Sequence, residues 1–450
     1  MAALSSKNDF SQGSVLSNII RLSIPMILAQ LINVLYSIID RVYIGHLGAE
    51  ATNALTGVGV CLPLITIFMG FANIVGMGGS PLFSMERGRK NEEEAEAILG
   101  NGLTLLLIFG VSLTGLGLLF RRPLLYLLGA SAATFPYANA YLSIYLLGTT
   151  FMMLSLGLNA FINAQGFAKT GMLTVVLGAV SNLILDPIFI FALHLGVRGA
   201  AIATVISQLL SALWTLRFLT GPQTLQRIRV RHLRCAPARV KKIIALGLTG
   251  FTVFFTNSLV QMVGNVQLQA FGGDLYIGIM TIISSIREVI QMPIHGVSSS
   301  VQPILGYNYG AGLPDRVKAA IRYMAGILFG YTLICWLLLL AFPHFFFHIF
   351  TQDAQVLKYG ILCMHLYFFG YVMMAFQFTG QSVFTGLGKA KQAIFFSLLR
   401  KAFIVVPLTL LLPRLFGLGP LGVFLAEPIS NLVGGTACFV TMLLTVYRKL

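Results

Sequence analysis

The amino-acid sequence predicts an all-α integral membrane protein whose helices cross the bilayer about twelve times. Three observations indicate this class. The chain has 450 residues, of which 57% are hydrophobic and 10% are charged, whereas a soluble protein carries about 25% charged residues. Its mean hydropathy is +0.85. Its apolar runs are continuous and reach the roughly 20 residues of a spanning helix, which is unlike the short alternating segments of a transmembrane β-barrel.

Short polar or glycine-containing segments divide the apolar sequence into twelve predicted spans. The first run follows a polar lead and is too long for a signal sequence, so we expect no cleaved signal peptide. The spans lie roughly at residues 16–44, 52–84, 96–120, 134–164, 170–193, 198–219, 241–270, 276–307, 316–342, 355–385, 391–413 and 418–446.

The net charge of +16 is distributed unevenly between the connecting segments. With a cytoplasmic N-terminus, most basic residues fall on the cytoplasmic side, including the run from Arg227 to Lys242. The excess of Lys and Arg predicts that both termini are cytoplasmic. Topology explains the basic run better than binding of nucleic acid or anionic lipid, so no nucleic-acid partner is expected. The outer side holds only Arg41, Arg121, Arg122, Arg198, Lys358 and Arg414.

No pattern for an enzyme or for an ATP-driven pump is present in the sequence. The five cysteines are scattered without metal-ligand or redox spacing. No phosphate-binding loop, GxSxG elbow or HExxH pair occurs. We therefore expect no cofactor other than a coupling ion.

The second half of the chain repeats the first at a nearly constant offset. SPLFSMERG (80–88) matches QPILGYNYG (302–310), and LGVRGAAIA (195–203) matches LGPLGVFLA (418–426). The repeat predicts two six-helix lobes related by a pseudo-twofold axis along the membrane normal, an arrangement typical of transporters, although duplicated bundles also serve as channels and scaffolds. The predicted domains are an N-lobe at 1–220, a basic cytoplasmic linker at 221–240 and a C-lobe at 241–450.

The first span carries an aspartate, Asp40, within an otherwise uncharged stretch that ends at Arg41. An ionised carboxylate at the centre of a membrane helix costs roughly 2.5–3.5 kcal/mol. Asn33 and Asp40 lie seven residues apart and so share one helix face. In the repeat, Asn257 and Gln261 preserve this polar face without an acid, which assigns the predicted ion site to the N-lobe.

Partners for Asp40 are predicted from the run SNLILDPIFI, which places Asn182 and Asp186 one helical turn apart. Thr204 lies in the next span, and Tyr36 lies one turn before Asp40. Two carboxyl groups in a medium of low dielectric cannot both stay ionised without a cation, so this oxygen-rich set suits H⁺ or Na⁺. The alternative is a structural ion pair of Asp40 with Arg41 or Arg198.

A second cluster is predicted on the eighth span, in SIREVIQMPIHG. Helical spacing places Glu288, Gln291 or Met292, and His295 on one face, with Arg287 at its edge.

An acid on the twelfth span completes the predicted substrate cavity. Glu427 occupies the repeat position of Thr204. Acidic groups among Phe, Tyr and Met side chains attract lipophilic cations. Arg287 is expected to pair with Glu427 or another acid of the C-lobe; alternatively it binds an anionic substrate, for which Arg400 and Lys401 are further candidates.

Several motifs resemble the MATE (multidrug and toxic compound extrusion) family, and in particular its MepA-like bacterial branch. They are Pro25…Gln30…Asn33…Tyr36…Asp40, INAQGFAK (162–169) and VQPILGYNYGAG (301–312). The resemblance implies a monomeric, cation-coupled exporter in the bacterial cytoplasmic membrane. It also implies a role in drug recognition for the acid at Glu288.

The resemblance also implies that five residues of this chain, named at the end of this paragraph, bind the coupling cation. The sequence departs from the NorM-like branch, whose acids on the seventh and tenth spans are replaced here by amides such as Asn257, Gln261 and Gln377. The five coupling positions are Tyr36, Asp40, Asn182, Asp186 and Thr204.

Together these observations predict a secondary active multidrug efflux transporter. It would exchange H⁺ or Na⁺ for lipophilic, mostly cationic small molecules by alternating access, with Asp40, Asn182, Asp186 and Thr204 as the possible Na⁺ ligands. The alternative is an exporter or flippase of an anionic or lipid-linked substrate that uses Arg287 in the central cavity.

Overall fold

The computed structural model describes residues 8–45, 51–415 and 417–450. The protein is all-helical, with 87% of residues in helices, as the composition predicts. Its chain divides into two compact units. The N-terminal unit comprises residues 20–247 with a short stretch that ends at residue 12, and the C-terminal unit comprises residues 248–450 with residues 13–19.

The helices of the N-terminal unit are long and mostly apolar, as membrane helices must be. The last of them, α7, continues beyond this unit into the C-terminal one. The helices are α1 (Val15–Gly45), α2 (Ala51–Gly88), α3 (Glu92–Leu127), α4 (Phe135–Ala164), α5 (Ala168–Pro187), α6 (Gly196–Thr220) and α7 (Pro237–Gly310).

The C-terminal unit contains the second part of α7 and several shorter helices. Some of these join into single membrane-crossing rods through π-helical turns. The helices are α8 (Pro314–Ala341), α9 (Pro343–His348), α10 (Ala354–Phe368), α11 (Met374–Gly386), α12 (Ala390–Leu398), α13 (Val406–Leu411), α14 (Pro420–Ser430) and α15 (Thr436–Thr445).

The described part of the chain contains 11 helical rods that are long and apolar enough to cross a membrane. One of them, α7, has 74 residues, which is more than twice the length of a single span. Within it Gly273 adopts φ 67° and ψ −165°, which breaks the helix into two crossing segments. Counting those segments separately gives the twelve spans that the hydropathy pattern predicts.

Helix α4 lies at the centre of the N-terminal unit, where it packs against α2, α3 and α6. The Phe161 ring meets Phe83 of α2 edge-on, with ring centroids 5.5 Å apart. Glycines allow α2 and the first part of α7 to approach at backbone distance, because a Cβ at Gly78 would collide with the Ile243 carbonyl. Close packing through small residues is a common way to associate membrane helices.

The segment between α6 and α7 is fixed to the N-terminal unit by buried polar groups. The Asn101 amide of α3 donates to the carbonyls of His232 and Arg234 at 3.0 and 3.2 Å. Arg229 forms an ion pair of 2.7 Å with Glu96. The segment predicted as an inter-lobe linker therefore packs on α3, and the boundary between the units falls later, at residue 247.

In the described part of the chain, three π-helical segments interrupt the apolar rods near buried charged residues. Ile188–Ala192 begins two residues after Asp186, Leu399–Val405 contains Arg400 and Lys401, and Asn431–Gly435 follows α14. Such wide turns frequently occur at functional sites, because they rotate the side chains that follow them out of regular helical phase.

Candidate functional site

A cavity of about 300 Å³ lies inside the N-terminal unit. It brings Tyr36 and Asp40 of α1 together with Asn182 of α5 and Thr204 of α6. Asn33, predicted as a substrate-cavity residue, also lines this cavity. Asp186 is not among the lining residues; it is only 1% exposed and is hydrogen-bonded to Asn182. The structure thus brings four of the five predicted coupling residues to one cavity, and the fifth contacts one of them.

Hydrogen bonds link the three buried residues of α5 and α6. The Asn182 amide donates to Asp186 Oδ1 at 3.2 Å and to Thr204 Oγ1 at 3.5 Å. Thr204 in turn donates to the Ala200 carbonyl at 2.9 Å. Asp186 Oδ2 and Asn182 Oδ1 remain buried without a hydrogen-bond partner. The carboxylate oxygen is therefore available for a proton or a cation, and the amide oxygen is available for a cation.

The carboxyl groups of Asp40 and Asp186 are close enough to interact electrostatically. Two neighbouring carboxylates repel each other when both are ionised, so a proton or a cation at the pair is favoured. Arg198, the alternative partner proposed for Asp40, is exposed. The side chain of Arg41 lies outside the described part of the structure. The geometry of the aspartate pair fits a site that gains and loses a positive charge.

Local sequence explains how α5 and α6 present these groups. Pro187 lacks a backbone N–H, and the helix widens into the π-helical turn Ile188–Ala192 immediately after it. Gly199 of α6 lies against this turn, where a Cβ would come within 2.5 Å of the Phe189 carbonyl. Tyr43 of α1 meets Phe191 of the same turn edge-on at 6.3 Å. These contacts hold the three helices around Asp186.

Aromatic and amide residues of this cavity were missed by the sequence interpretation. Tyr141 and Tyr145 of α4 line it with their rings stacked at 5.9 Å. Gln208 donates to the Tyr145 hydroxyl at 3.3 Å. Gln208 lies one turn after Thr204, so helical spacing could have identified it. The two tyrosines carry no such signal, because they lie in an apolar stretch remote in sequence from Asp40.

A second, smaller cavity of about 80 Å³ lies inside the C-terminal unit. It is lined by Arg287, Arg400 and Lys401, and its described lining contains no acidic residue. Three predicted cavity residues besides Arg287 contribute to it, and several further polar residues were not predicted. The predicted ones are Asn257, Gln291 and His295, and the others are Thr256, Gln377, Gln381 and Ser397.

Glu427 is buried and forms ion pairs with two of the lining residues. Its Oε1 accepts from Lys401 Nζ at 2.8 Å and from Arg400 Nη1 at 3.0 Å. Arg400 also donates to Asn431 at 2.8 Å. The prediction that Arg287 pairs with Glu427 is wrong, because the two residues form no ion pair. The carboxylate of Glu427 is paired with Arg400 and Lys401 of the π-helical turn instead.

Arg287 is instead bound by a neutral group. Its Nη1 donates to the Tyr367 hydroxyl at 2.9 Å, and its Nε is buried without a hydrogen-bond partner. Glu288, the residue next to it, is exposed and does not line the cavity. His295 packs edge-on against Phe378 at 5.1 Å. Of the other predicted cavity residues, Met292 is half-buried and Gln261 is exposed, and neither lines the cavity.

Known proteins with similar sequences are exporters. The chain is 26% identical to the multidrug export protein MepA of Staphylococcus haemolyticus (strain JCSC1435) over 443 residues. The alignment covers 97% of this chain and 94% of that protein.

Solved structures agree with this relationship over nearly the whole chain. An outward-facing multidrug resistance MATE family transporter of the MOP superfamily superposes with a TM-score of 0.90 at 25% identity, covering 98% of each chain. A MOP superfamily transporter from Pyrococcus furiosus Vc1 (DSM3638) gives the same TM-score and identity, over 98% of this chain and 99% of its own.

The sequence also matches the model of a whole protein family. The relatives are transporters rather than enzymes, and their similarity indicates a multi-pass membrane protein. The family model MatE matches residues 25–188 and 251–411, which together make up more than half of the chain. The protein therefore belongs to the MATE family of multidrug export transporters.

Proposed function

We propose that this protein is a secondary active exporter that exchanges H⁺ or Na⁺ for small molecules by alternating access. The observation that carries the proposal is the Asp40–Asp186 pair in the N-terminal unit, connected through Asn182 to Thr204. A binding site for a coupling ion needs a group whose charge is tolerated only when the ion is bound. Two neighbouring carboxyl groups inside a membrane protein meet that condition.

The coupling ion is proposed to bind on the oxygens of this cluster. A proton would bind to one of the two carboxyl groups and remove the repulsion between them. Na⁺ would be ligated by the carboxylates with Asn182 Oδ1 and Thr204 Oγ1, since hard cations prefer oxygen ligands. In either case binding neutralises the pair, and the free energy of that neutralisation is available for repacking α1 against α5.

Lipophilic small molecules are the proposed cargo, by likeness to the multidrug export relatives. The cavity of the N-terminal unit suits a cationic one. It combines Asp40 with Tyr36 and the stacked pair Tyr141 and Tyr145. A lipophilic cation placed there would gain cation–π contacts and would compete with the coupling ion for Asp40.

Export of an anionic substrate is the second candidate function. It is favoured by the cavity of the C-terminal unit, whose charged lining residues are Arg287, Arg400 and Lys401. The Pyrococcus furiosus relative is described as a transporter in which reverse polarity of the binding pocket suggests a different function.

The proposal is tested in proteoliposomes under imposed pH or Na⁺ gradients. With a fluorescent organic cation as cargo, the wild-type protein should transport under at least one gradient. Asp40→Asn should lose that coupled transport, because an amide neither binds a proton at physiological pH nor carries the charge that attracts Na⁺. We expect Asp186→Asn to behave in the same way.

Asp353→Asn is the matched control. Asp353 is exposed and accepts from the N–H groups of Gln355 and Val356 at the start of α10, and asparagine can serve as the same helix cap. This variant should transport at the wild-type rate. Near-normal ion-driven transport in Asp40→Asn protein that is inserted and folded would contradict the proposal.

A further inference from the structure

The C-terminal unit contains more buried positive charge than its carboxylates can neutralise. Arg400 and Lys401 are buried, and Arg287 lines the same cavity. Glu427 is the only buried acidic side chain among the described residues of this unit. The others, Asp274, Glu288, Asp315 and Asp353, are exposed.

The distribution of hydrogen bonds identifies which cation of the described cluster makes no direct ion pair. Glu427 Oε1 is shared by Arg400 and Lys401 at 3.0 and 2.8 Å. Arg287 reaches only the neutral hydroxyl of Tyr367 at hydrogen-bonding distance, and its Nε donates to nothing in the described structure. A half-buried guanidinium with no carboxylate at hydrogen-bonding distance is costly, because its desolvation is offset only by acidic groups farther away.

The cavity beside Arg287 is suited to a small charged group. Its volume of about 80 Å³ accommodates a few heavy atoms, since about 10–15 Å³ suffices for one water molecule. Whole drug-sized ligands fill about 300–1,000 Å³. Met374 and Phe378 form part of the lining, so the carbon skeleton next to the charged group would meet an apolar surface.

Two amides add hydrogen-bonding groups to the same cavity. Gln377 and Gln381 lie one turn apart on α11, and the Oε1 atom of each is buried without a partner. Gln381 uses its amide nitrogen to donate to the Ala393 carbonyl at 2.9 Å. The free oxygens would accept from an O–H or N–H group next to the charged one.

We propose that this cavity is a subsite for an oxyanion of the cargo, a carboxylate or a phosphate, bound by Arg287 together with Lys401 and Arg400. A planar guanidinium binds carboxylates and phosphates through two parallel hydrogen bonds. The role of the subsite in export rests on the proposed function above, whereas binding itself does not. The cargo would then be an organic acid, a zwitterion or a molecule with a phosphate group.

The test uses the purified full-length protein in detergent and three matched ligands. They are 2-naphthoate, the corresponding ammonium 2-naphthylmethylamine and the neutral 2-naphthylmethanol. Binding is followed by ligand-induced thermal stabilisation and by calorimetry. We expect 2-naphthoate to bind at least about tenfold more tightly than the other two, as a single favourable charged contact would give.

Variants of Arg287 then locate the binding site. Arg287→Gln should weaken 2-naphthoate binding by about tenfold or more, and Arg287→Lys should lose less, since it keeps the charge without the planar fork. Lys358→Gln, which removes an exposed cation from the same unit, should bind as the wild type does. Arg287→Gln is expected to fold, because Arg400 and Lys401 remain paired with Glu427.

Binding of dioctanoyl phosphatidate is measured in the same way as that of 2-naphthoate. The comparison shows whether the oxyanion comes from a lipid phosphate or from a small organic acid. Arg287-dependent binding of either compound supports the subsite and identifies its source. Equal affinity for 2-naphthoate and the amine, or 2-naphthoate affinity unchanged in Arg287→Gln, would overturn it. Arg287-dependent binding without transport under either ion gradient would support the subsite while contradicting the proposed exporter.

Discussion

Buried charged residues in this protein are stabilised by three different arrangements. Asp186 has an amide and a second carboxyl group as neighbours. Glu427 is shared by two cations, and Arg287 is held by a phenol. The first arrangement depends on a bound cation or proton, the second is a direct ion pair of one carboxylate with two bases, and the third leaves a positive charge facing the cavity. Only the second is expected to be permanent.

At the scale of single residues, Glu427→Gln should strongly destabilise the C-terminal unit. The substitution leaves Arg400 and Lys401 buried without a counter-ion, and removing one partner of a buried pair costs about 3–5 kcal/mol. The melting temperature of the purified protein, followed by intrinsic fluorescence, should fall clearly. Glu288→Gln should change it little, because Glu288 is exposed and surface substitutions stay within about 0.5 kcal/mol.

A second substitution distinguishes the effect of losing the ion pair from the effect of altered side-chain packing. If unpaired cations cause the instability, Glu427→Gln combined with Lys401→Met should recover part of the lost melting temperature. Lys401→Met should also be measured alone. If it lowers the melting temperature of the Glu427→Gln variant as much as that of the wild type, this account of the cluster is contradicted.

At the scale of the elements, irregular turns determine where the polar groups lie. The π-helical turns around Asp186, Lys401 and Glu427 shift the side chains that follow them relative to a regular helix. The break at Gly273 lets one continuous helix supply two membrane crossings. None of these features follows from hydrophobic periodicity, because the period shows which residues share a face and not where a helix widens or breaks.

Gly273→Ala should destabilise the turn between the two crossings of α7. Gly273 has φ 67° and ψ −165°, a region that is essentially restricted to glycine and costs other residues about 1–3 kcal/mol. Thermal unfolding of the purified variant should show a lower melting temperature. Gly278→Ala is the control, since Gly278 is helical and has open space around its Cα; it should leave the melting temperature unchanged or raise it slightly. Equal effects of the two substitutions would disprove the role of the turn.

At the scale of the whole molecule, the distribution of Lys and Arg predicts that the segment between α6 and α7 is cytoplasmic. The two test positions are Val230, 84% exposed in that segment, and Leu127, 81% exposed at the end of α3. A cysteine placed at Val230 in a cysteine-free background should react with a membrane-impermeant maleimide only after the cells are permeabilised. A cysteine at Leu127 should react in intact cells. The reverse labelling pattern would invert the predicted topology.

The amount of the site that could be predicted from sequence differs between the two units. In the N-terminal unit, Asn182, Asp186 and Thr204 lie on consecutive helices joined by a short turn, so spacing alone indicated that they meet. In the C-terminal unit, the partner of Arg287 is Tyr367, 80 residues away and on a different helix. Helical periodicity shows which side chains share a face, but it does not show which helix that face meets.

The sequence by itself determined that this protein is a bundle of about twelve apolar helices, because a chain in lipid must satisfy its backbone hydrogen bonds locally and shield them with apolar side chains. It also determined the oxygen-rich group around Asp186, which depends on contacts between neighbouring segments. Tertiary structure decided that Glu427 pairs with Lys401 and Arg400 rather than with Arg287. The physical reason is that ion pairing depends on distances of a few ångströms between helices remote in sequence, and those distances are set only when the bundle packs.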